Sequence, residues 1–349
     1  MTPSGAISCS FLAVARETPH NVRQFYNIVR AKDQCTNILA TGFYSSSDGS
    51  NNFEYCGDYL HTHGIIYLQG RYGALVNMDV DCDGQGGTPA DDGRCRVELS
   101  PGIQNATTFS DLIASYSRGI MDLNPYVHPY VVFGNAKGTR HRKGWREFDP
   151  SKYGMKPLSV MAAVCPADDK VVYGVWGDTN GDDDEKPMVG EASLALATMC
   201  GGKSINGNNG IDQDEVLYIG FVGDEAVPGP DGADWAAKDP DTFGKSIEQI
   251  GDRLVKKVTV DATSGAAGTG WCYCTCGDCG HMCAELQGLH IRLHFQTASQ
   301  EFSLCLSTLN FKLSILHIEP LLGERNPHIY AVLLVFNRNL RSTASAGHR

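Results

Sequence analysis

Residues 171–200 read VVYGVWGDTNGDDDEKPMVGEASLALATMC. The first six, rich in valine and aromatics, form a β-type run, and the Gly, Asn and Asp residues that follow break it into a polar loop. From 190 to 200 the composition turns helix-forming and stops at Gly201-Gly202, a usual helix terminator. Strand, loop and helix in this order predict a mixed but mainly β domain. A strand would deliver Asp178 to the edge of a sheet, and Glu191 would open the next helix. Two carboxylates would then face each other across one loop.

Similar β-type runs lie at 64–69, 74–81, 129–133, 158–164 and 216–221, separated by Gly, Asn and Asp clusters, which makes six strands in all. Val22, Phe25, Tyr26 and Val29 recur at helical spacing behind Pro19 and predict an amphipathic helix ending near Lys32. A last helix starts at Asp239-Pro240 and keeps Phe243, Ile247, Ile250, Leu254 and Val258 on one face. The expected fold is mainly β (α+β), compact and disulfide-stabilised, with flanking helices. A six-stranded barrel of the double-psi kind is expected by analogy with other compact secreted hydrolases.

The chain has 349 residues, 42% of them hydrophobic and 20% charged, enough to bury a substantial core. Its net charge of −11 comes from residues 16–258, where 34 acidic residues outweigh 23 basic ones; the remainder is balanced. Such a surface repels nucleic-acid phosphates and anionic lipid and attracts cations, so neither nucleic acid nor membrane is expected as a partner. Mild acidity also serves solubility alone. Cys35, Cys56, Cys82, Cys95, Cys165 and Cys200 are dispersed without a CxxC pair and read as three disulfides, with fifteen connectivities open.

Residues 1–15 read as a short signal peptide: an apolar run from Ala6 ends in Ala13-Val14-Ala15, an A-x-A cleavage pattern. Asn105-Ala106-Thr107 is an N-glycosylation sequon, in keeping with secretion. The domain is expected over 16–258. Beyond it, Cys272, Cys274, Cys276, Cys279 and Cys283 crowd into twelve residues, followed by apolar strings without periodicity. Zinc binding or a small disulfide module are alternatives there, but the 259–349 tail reads best as the product of a misassigned exon or reading frame.

Hydrolysis of a glycosidic bond needs two carboxyl groups, one to protonate the leaving oxygen and one to act on the opposite face of the sugar. Asp178 and Glu191 are the candidates, with Glu191 as general acid and Asp178 as general base. A helix N-terminus would lower the proton affinity of Glu191, while the acids from Asp182 to Glu185 would raise it. Asp79, Asp81 and Asp83 alternate onto one strand face, with Val80 and Cys82 inward, and are expected to meet a cationic substrate. Asn180 is a further candidate contact. The same D-x-D-x-D-G string opens like a calcium loop, but its twelfth position is Ala90 rather than Glu, which ranks calcium below substrate contact and solvated charge. His61, His63, His128 and His141 lack a zinc spacing, and His128 is expected to serve a structural hydrogen bond. Trp145, Trp176 and Trp235 are stacking candidates whose default is the core.

The strings YGVWGDTNG at 173–181 and GEAS at 190–193 resemble the catalytic stretch of the fungal chitosanases of glycoside hydrolase family 75. Further resemblance lies at 55–58, 77–84, 128–135, 157–161, 216–221 and 226–229, and at all six domain cysteines, so it spans roughly 240 residues, about one whole domain. The resemblance implies endo-hydrolysis of β-1,4-linked glucosamine polymers with inversion, Asp178 and Glu191 being the essential acids. It implies no cofactor, and nothing calls for an obligate partner, so a monomer is expected. The charged loop 182–187 departs from the small polar residues common there. Two rivals are a hydrolase of another β-1,4-glucan and a catalytically inert polysaccharide-binding protein.

Overall fold

A computed structural model of the chain describes residues 16–259, apart from 97, 100, 101, 138, 139, 141, 183 and 184, together with the strand segments at 271–272, 283–286 and 289–292. The chain divides into two units, Met1–Ser264 and Gly265–Arg349. The strands of the first are β1 (Arg16–Glu17), β2 (Ile38–Phe43), β3 (Phe53–Cys56), β4 (Ile65–Gly70), β5 (Val76–Asp81), β6 (Tyr130–Asn135), β7 (Val160–Cys165), β8 (Lys170–Asn180), β9 (Glu191–Ser193) and β10 (Ile211–Phe221). Its α-helices are α1 (His20–Arg30), α2 (Leu60–His63), α3 (Ser110–Ser115), α4 (Leu194–Gly201) and α5 (Pro240–Val255). In the second unit β11 (Trp271–Cys272), β12 (Cys283–Leu286) and β13 (Leu289–Arg292) form an antiparallel sheet. The leader and most of the tail lie outside the described residues.

Six strands close on themselves in the order β5–β10–β7–β8–β6–β9, and β9 returns to β5. The β8/β6 and β9/β5 ladders are parallel and the other four antiparallel. This is the closed six-stranded barrel expected from the sequence, with one change of membership. The run at 64–69 is not in the ring: β4 pairs with β10 and leads a side sheet through β3 to β2. The sixth place belongs to β9.

That substitution corrects the reading of 190–200 as one helix. Glu191 lies in a strand, and α4 starts three residues later, its N-cap Ser193 accepting a hydrogen bond from Leu196 N. Helix-forming composition is a weak preference, and here two unpaired ladder edges, β5 and β6, outweigh it for three residues. Gly190 makes the entry possible. Its φ is +98°, and a Cβ there would come within 2.5 Å of Asn77 Oδ1 and of Val76, while its carbonyl accepts from Asp79 N at 2.7 Å.

β4, β6 and β7 are buried throughout because both of their faces are covered. Every residue of β7 (VMAAVC) is buried, one face turned into the barrel and the other beneath α5. α5 is capped by Asp239, which accepts from Thr242 N at 2.8 Å, and it approaches the sheet through Gly251, where a Cβ would stand 2.4 Å from the Tyr173 ring. α1 packs Phe25 edge-on against Tyr67 of β4. The disulfides are Cys35–Cys56, Cys82–Cys95 and Cys165–Cys200. Closing loops of 13 to 35 residues is worth about 3–4 kcal/mol each in chain entropy, so losing two would remove much of a typical domain's stability.

Candidate active site

β8 does not end at Trp176 as its apolar run suggests; it continues through Asp178 to Asn180. Its register against β6 shifts by one residue between Trp176, opposite Val131, and Asp178, opposite Val132. Gly177 takes up the extra residue, and only glycine fits, because a Cβ would lie 2.5 Å from Tyr130 Cβ and 2.6 Å from Leu123 Cδ1. On the other edge of β6, Val132 is opposite Glu191. Asp178 and Glu191 therefore flank the same residue, one on each side. In-register neighbours project from the same face, and two strand spacings separate their backbones by about 10 Å. Asp79 extends the row, paired in register with Glu191 across β9/β5.

Asp178 is buried, 6% exposed. One of its oxygens, Oδ1, accepts from Thr108 N (2.9 Å), Thr108 Oγ1 (2.5 Å) and Thr179 N (2.7 Å). Among the described residues no hydrogen bond reaches Oδ2. Burial pushes the Asp178 pKa up to about 6, against the opposing pull of these three donors, with the Asp122 charge adding to the rise.

A carboxylate oxygen from each of Asp81, Asp83 and Asp178 lies within 4.8 Å of the others. Burial, then the charges of Asp178 and Asp83, raise the pKa of Asp81 well above the usual carboxylate range. Buried Tyr130 stands beside this trio and donates its hydroxyl to Asp83 O at 2.9 Å. Asp79 is likewise raised by burial, and Asp212 and Asp214 on β10 add to it. An oxygen-only cluster of this kind suits a hard divalent cation or a protonated amine.

Of the predicted site residues, the barrel thus brings Asp178, Glu191, Asp79, Asp81 and Asp83 to one end. Val80 is half-buried and packs against the core, and Cys82 is buried, as their alternation with the three acids implies. Asn180 is nearby, but its side-chain nitrogen donates to Met188 O and ties down the loop between β8 and β9. In that loop Asp182 turns inward, accepting from Arg140 N at 3.1 Å, and Lys186 sits over the Tyr44 ring, 4.8 Å from its centroid. Asp183 and Asp184 lie outside the described residues.

His128 is buried, and its Nδ1 accepts from Asn124 N at 2.8 Å, so Nε2 carries the proton and donates to Trp235 O at 3.0 Å. Burial lowers its pKa to about 4, in keeping with a structural role. His141 is outside the described residues. Trp176 and Trp235 are buried, whereas Trp145 is half-exposed with Nε1 bonded to Ala136 O. Sequence reasoning missed Thr108, Tyr130, Asp212 and Asp214. The acidic half of 211–215 offers a signal for the last two, but nothing in the loop before α3 marks Thr108.

Residues 78–257 match the family described as fungal chitosanase of glycosyl hydrolase group 75. Endo-chitosanase B of Aspergillus oryzae (strain ATCC 42149 / RIB 40) is 42% identical over 248 residues, 70% of this chain and 92% of that protein. An endo-chitosanase of Aspergillus fumigatus is 40% identical over 246 residues, covering 70% of this chain and 92% of the relative. Endo-chitosanase C of Aspergillus oryzae is more distant, 31% identical over 171 residues, which is 48% of this chain and 36% of that protein.

Proposed function

This chain belongs to the fungal chitosanases of glycosyl hydrolase group 75 and is a glycoside hydrolase, and from that premise we propose that it is a secreted endo-chitosanase acting by inversion through Asp178 and Glu191. The observation that carries the reading is the placement of both acids on either side of Val132, on one face of the barrel. A backbone separation of about 10 Å supports carboxyl groups in the range, about 6.5–9.5 Å, that leaves room for a water between carboxylate and sugar.

In this mechanism Asp178 is the general base. Its Oδ1 is held by three donors, so Oδ2 takes the proton from the attacking water as the oxygen bonds to the anomeric carbon. Glu191, protonated at the start, gives its proton to the leaving glycosidic oxygen. Positive charge develops at the anomeric centre between them, and the surrounding carboxylates stabilise it. Asp79, Asp81 and Asp83 meet the ammonium groups of the glucosamine chain, and the side-chain oxygen of Asn180, which accepts no hydrogen bond among the described residues, meets a sugar hydroxyl. No cofactor takes part, and the catalytic unit is a monomeric domain over 16–258 with its leader at 1–15.

The test compares chitosan with carboxymethyl-cellulose as substrate and follows the anomer first formed from chitosan by proton NMR. Release of α-anomeric ends from chitosan alone is expected. Turnover of the cellulose derivative alone would assign the other β-1,4-glucan. Binding of chitosan without turnover would make the chain an inert polysaccharide-binding protein.

A further inference from the structure

Two adjacent threonines join two buried carboxylates. Thr107 donates its N–H to Asp122 Oδ2 at 2.7 Å and its hydroxyl to Asp122 Oδ1 at 2.6 Å. Both residues are buried, and Asp122 also accepts from Leu123 N at 2.7 Å, so the segment before α3 is pinned at Thr107. One residue on, Thr108 turns the other way and repeats the arrangement towards Asp178, but with both donors on a single oxygen. The hydroxyl has one proton, and the 2.5 Å contact to Asp178 Oδ1 takes it in preference to Thr179 O at 3.4 Å.

We infer that Thr108 is a positioning residue for the reaction: anchored through Thr107 to Asp122, it saturates Oδ1 of Asp178, fixes the carboxylate plane and leaves Oδ2 as the oxygen that exchanges a proton. The inference rests on the proposed role of Asp178 as base. A donor aimed at a carboxylate stabilises its charged form, so the Thr108 hydroxyl offsets part of the rise that burial imposes on Asp178 and keeps it ionised to lower pH. Thr108 itself is exposed, so its side chain contributes little to the core.

The experiment measures kcat/KM against pH on chitosan oligomers for wild type, Thr108→Ser, Thr108→Val and Thr108→Ala, with thermal midpoints alongside. The acid limb of the Val and Ala variants is expected to move to higher pH by about one unit. Serine is expected to restore the wild-type limb, with midpoints alike throughout. A limb unmoved in both Val and Ala, or equally displaced in Ser, would overturn the inference. Asp178→Asn separates the two levels. If that variant still turns over, the role of Asp178 itself falls; if it is inactive while the Thr108 limbs coincide, only the role of Thr108 does.

Discussion

Glu191 stands in register opposite Asp79 across the parallel ladder of β9 and β5, so two acid side chains leave the barrel side by side. Neighbouring like charges on one sheet face destabilise by roughly 0.2–1 kcal/mol. Asp79→Asn is therefore expected to raise folding stability by up to about 1 kcal/mol. The same change should raise KM for chitosan several-fold while kcat falls less, because the proposed mechanism sets this charge against the substrate chain rather than the reacting bond. Denaturant melts and steady-state kinetics check both; an unchanged KM would remove Asp79 from substrate binding.

Asp178→Asn and Glu191→Gln each retain the size of the side chain and remove the proton transfer that the proposed mechanism assigns to it. Reducing-end release from chitosan is expected to fall by about two to four orders of magnitude in either variant. Thermal unfolding should change little. Wild-type kcat/KM should decline as pH drops through about 6, since burial raises Asp178 to that value and the proposed base must be ionised to act. An acid limb centred near pH 4 would mean that another group controls it.

His128 folds into the core neutral, its pKa lowered from 6.5 to about 4. The folded state thus binds fewer protons here than the unfolded chain. The contribution of His128 is full above pH 6.5 and is lost as pH falls through 4, on the order of 3 kcal/mol in total. Asp178 has the opposite sign: its raised pKa favours the folded state at low pH, and that advantage fades as pH rises through about 6. Urea melts from pH 7 to 4 on wild type and His128→Gln separate them. The stability difference between the two proteins should shrink on acidification, and a constant difference would show that His128 does not titrate in this window.

Gly190→Ala tests the entry into β9. The added methyl meets Asn77 and Val76 at 2.5 Å, and φ +98° is strained for any residue with a Cβ. A loss of about 2–3 kcal/mol in stability is expected, with activity falling further than stability accounts for, because Glu191 is the next residue. Melts and kcat on the same preparation decide it; wild-type behaviour would show that β9 tolerates displacement.

Elements whose sequence pattern matched their packing were readable directly. The apolar face of α5 and its Asp239 cap are local features, and so are the valine-rich runs of β7 and the first half of β8. The failure at 190–193 had a physical cause. GEAS has no strand character, and what makes residues 191–193 a strand is the gap between β5 and β6, which they fill by pairing with both. Disulfide partners were unreadable for the same reason, since any of fifteen pairings satisfies the spacing and folding brings together three particular pairs. Thr108 carries no signal at all, being one hydroxyl residue in a polar loop.

Taken alone, the amino-acid order determined that this chain folds around a β-rich core, forms disulfides, and carries motifs of a polysaccharide hydrolase, because strand runs, cysteine counts and motif strings are properties of short segments. Tertiary structure alone decided that Asp178 and Glu191 share Val132 as a neighbour, that one oxygen of Asp178 is saturated by Thr108 and Thr179, and that Asp81 and Asp83 crowd its carboxylate. Those relationships join residues up to about a hundred positions apart. Only ring closure brings them within hydrogen-bond and Coulomb range, where burial strengthens each interaction.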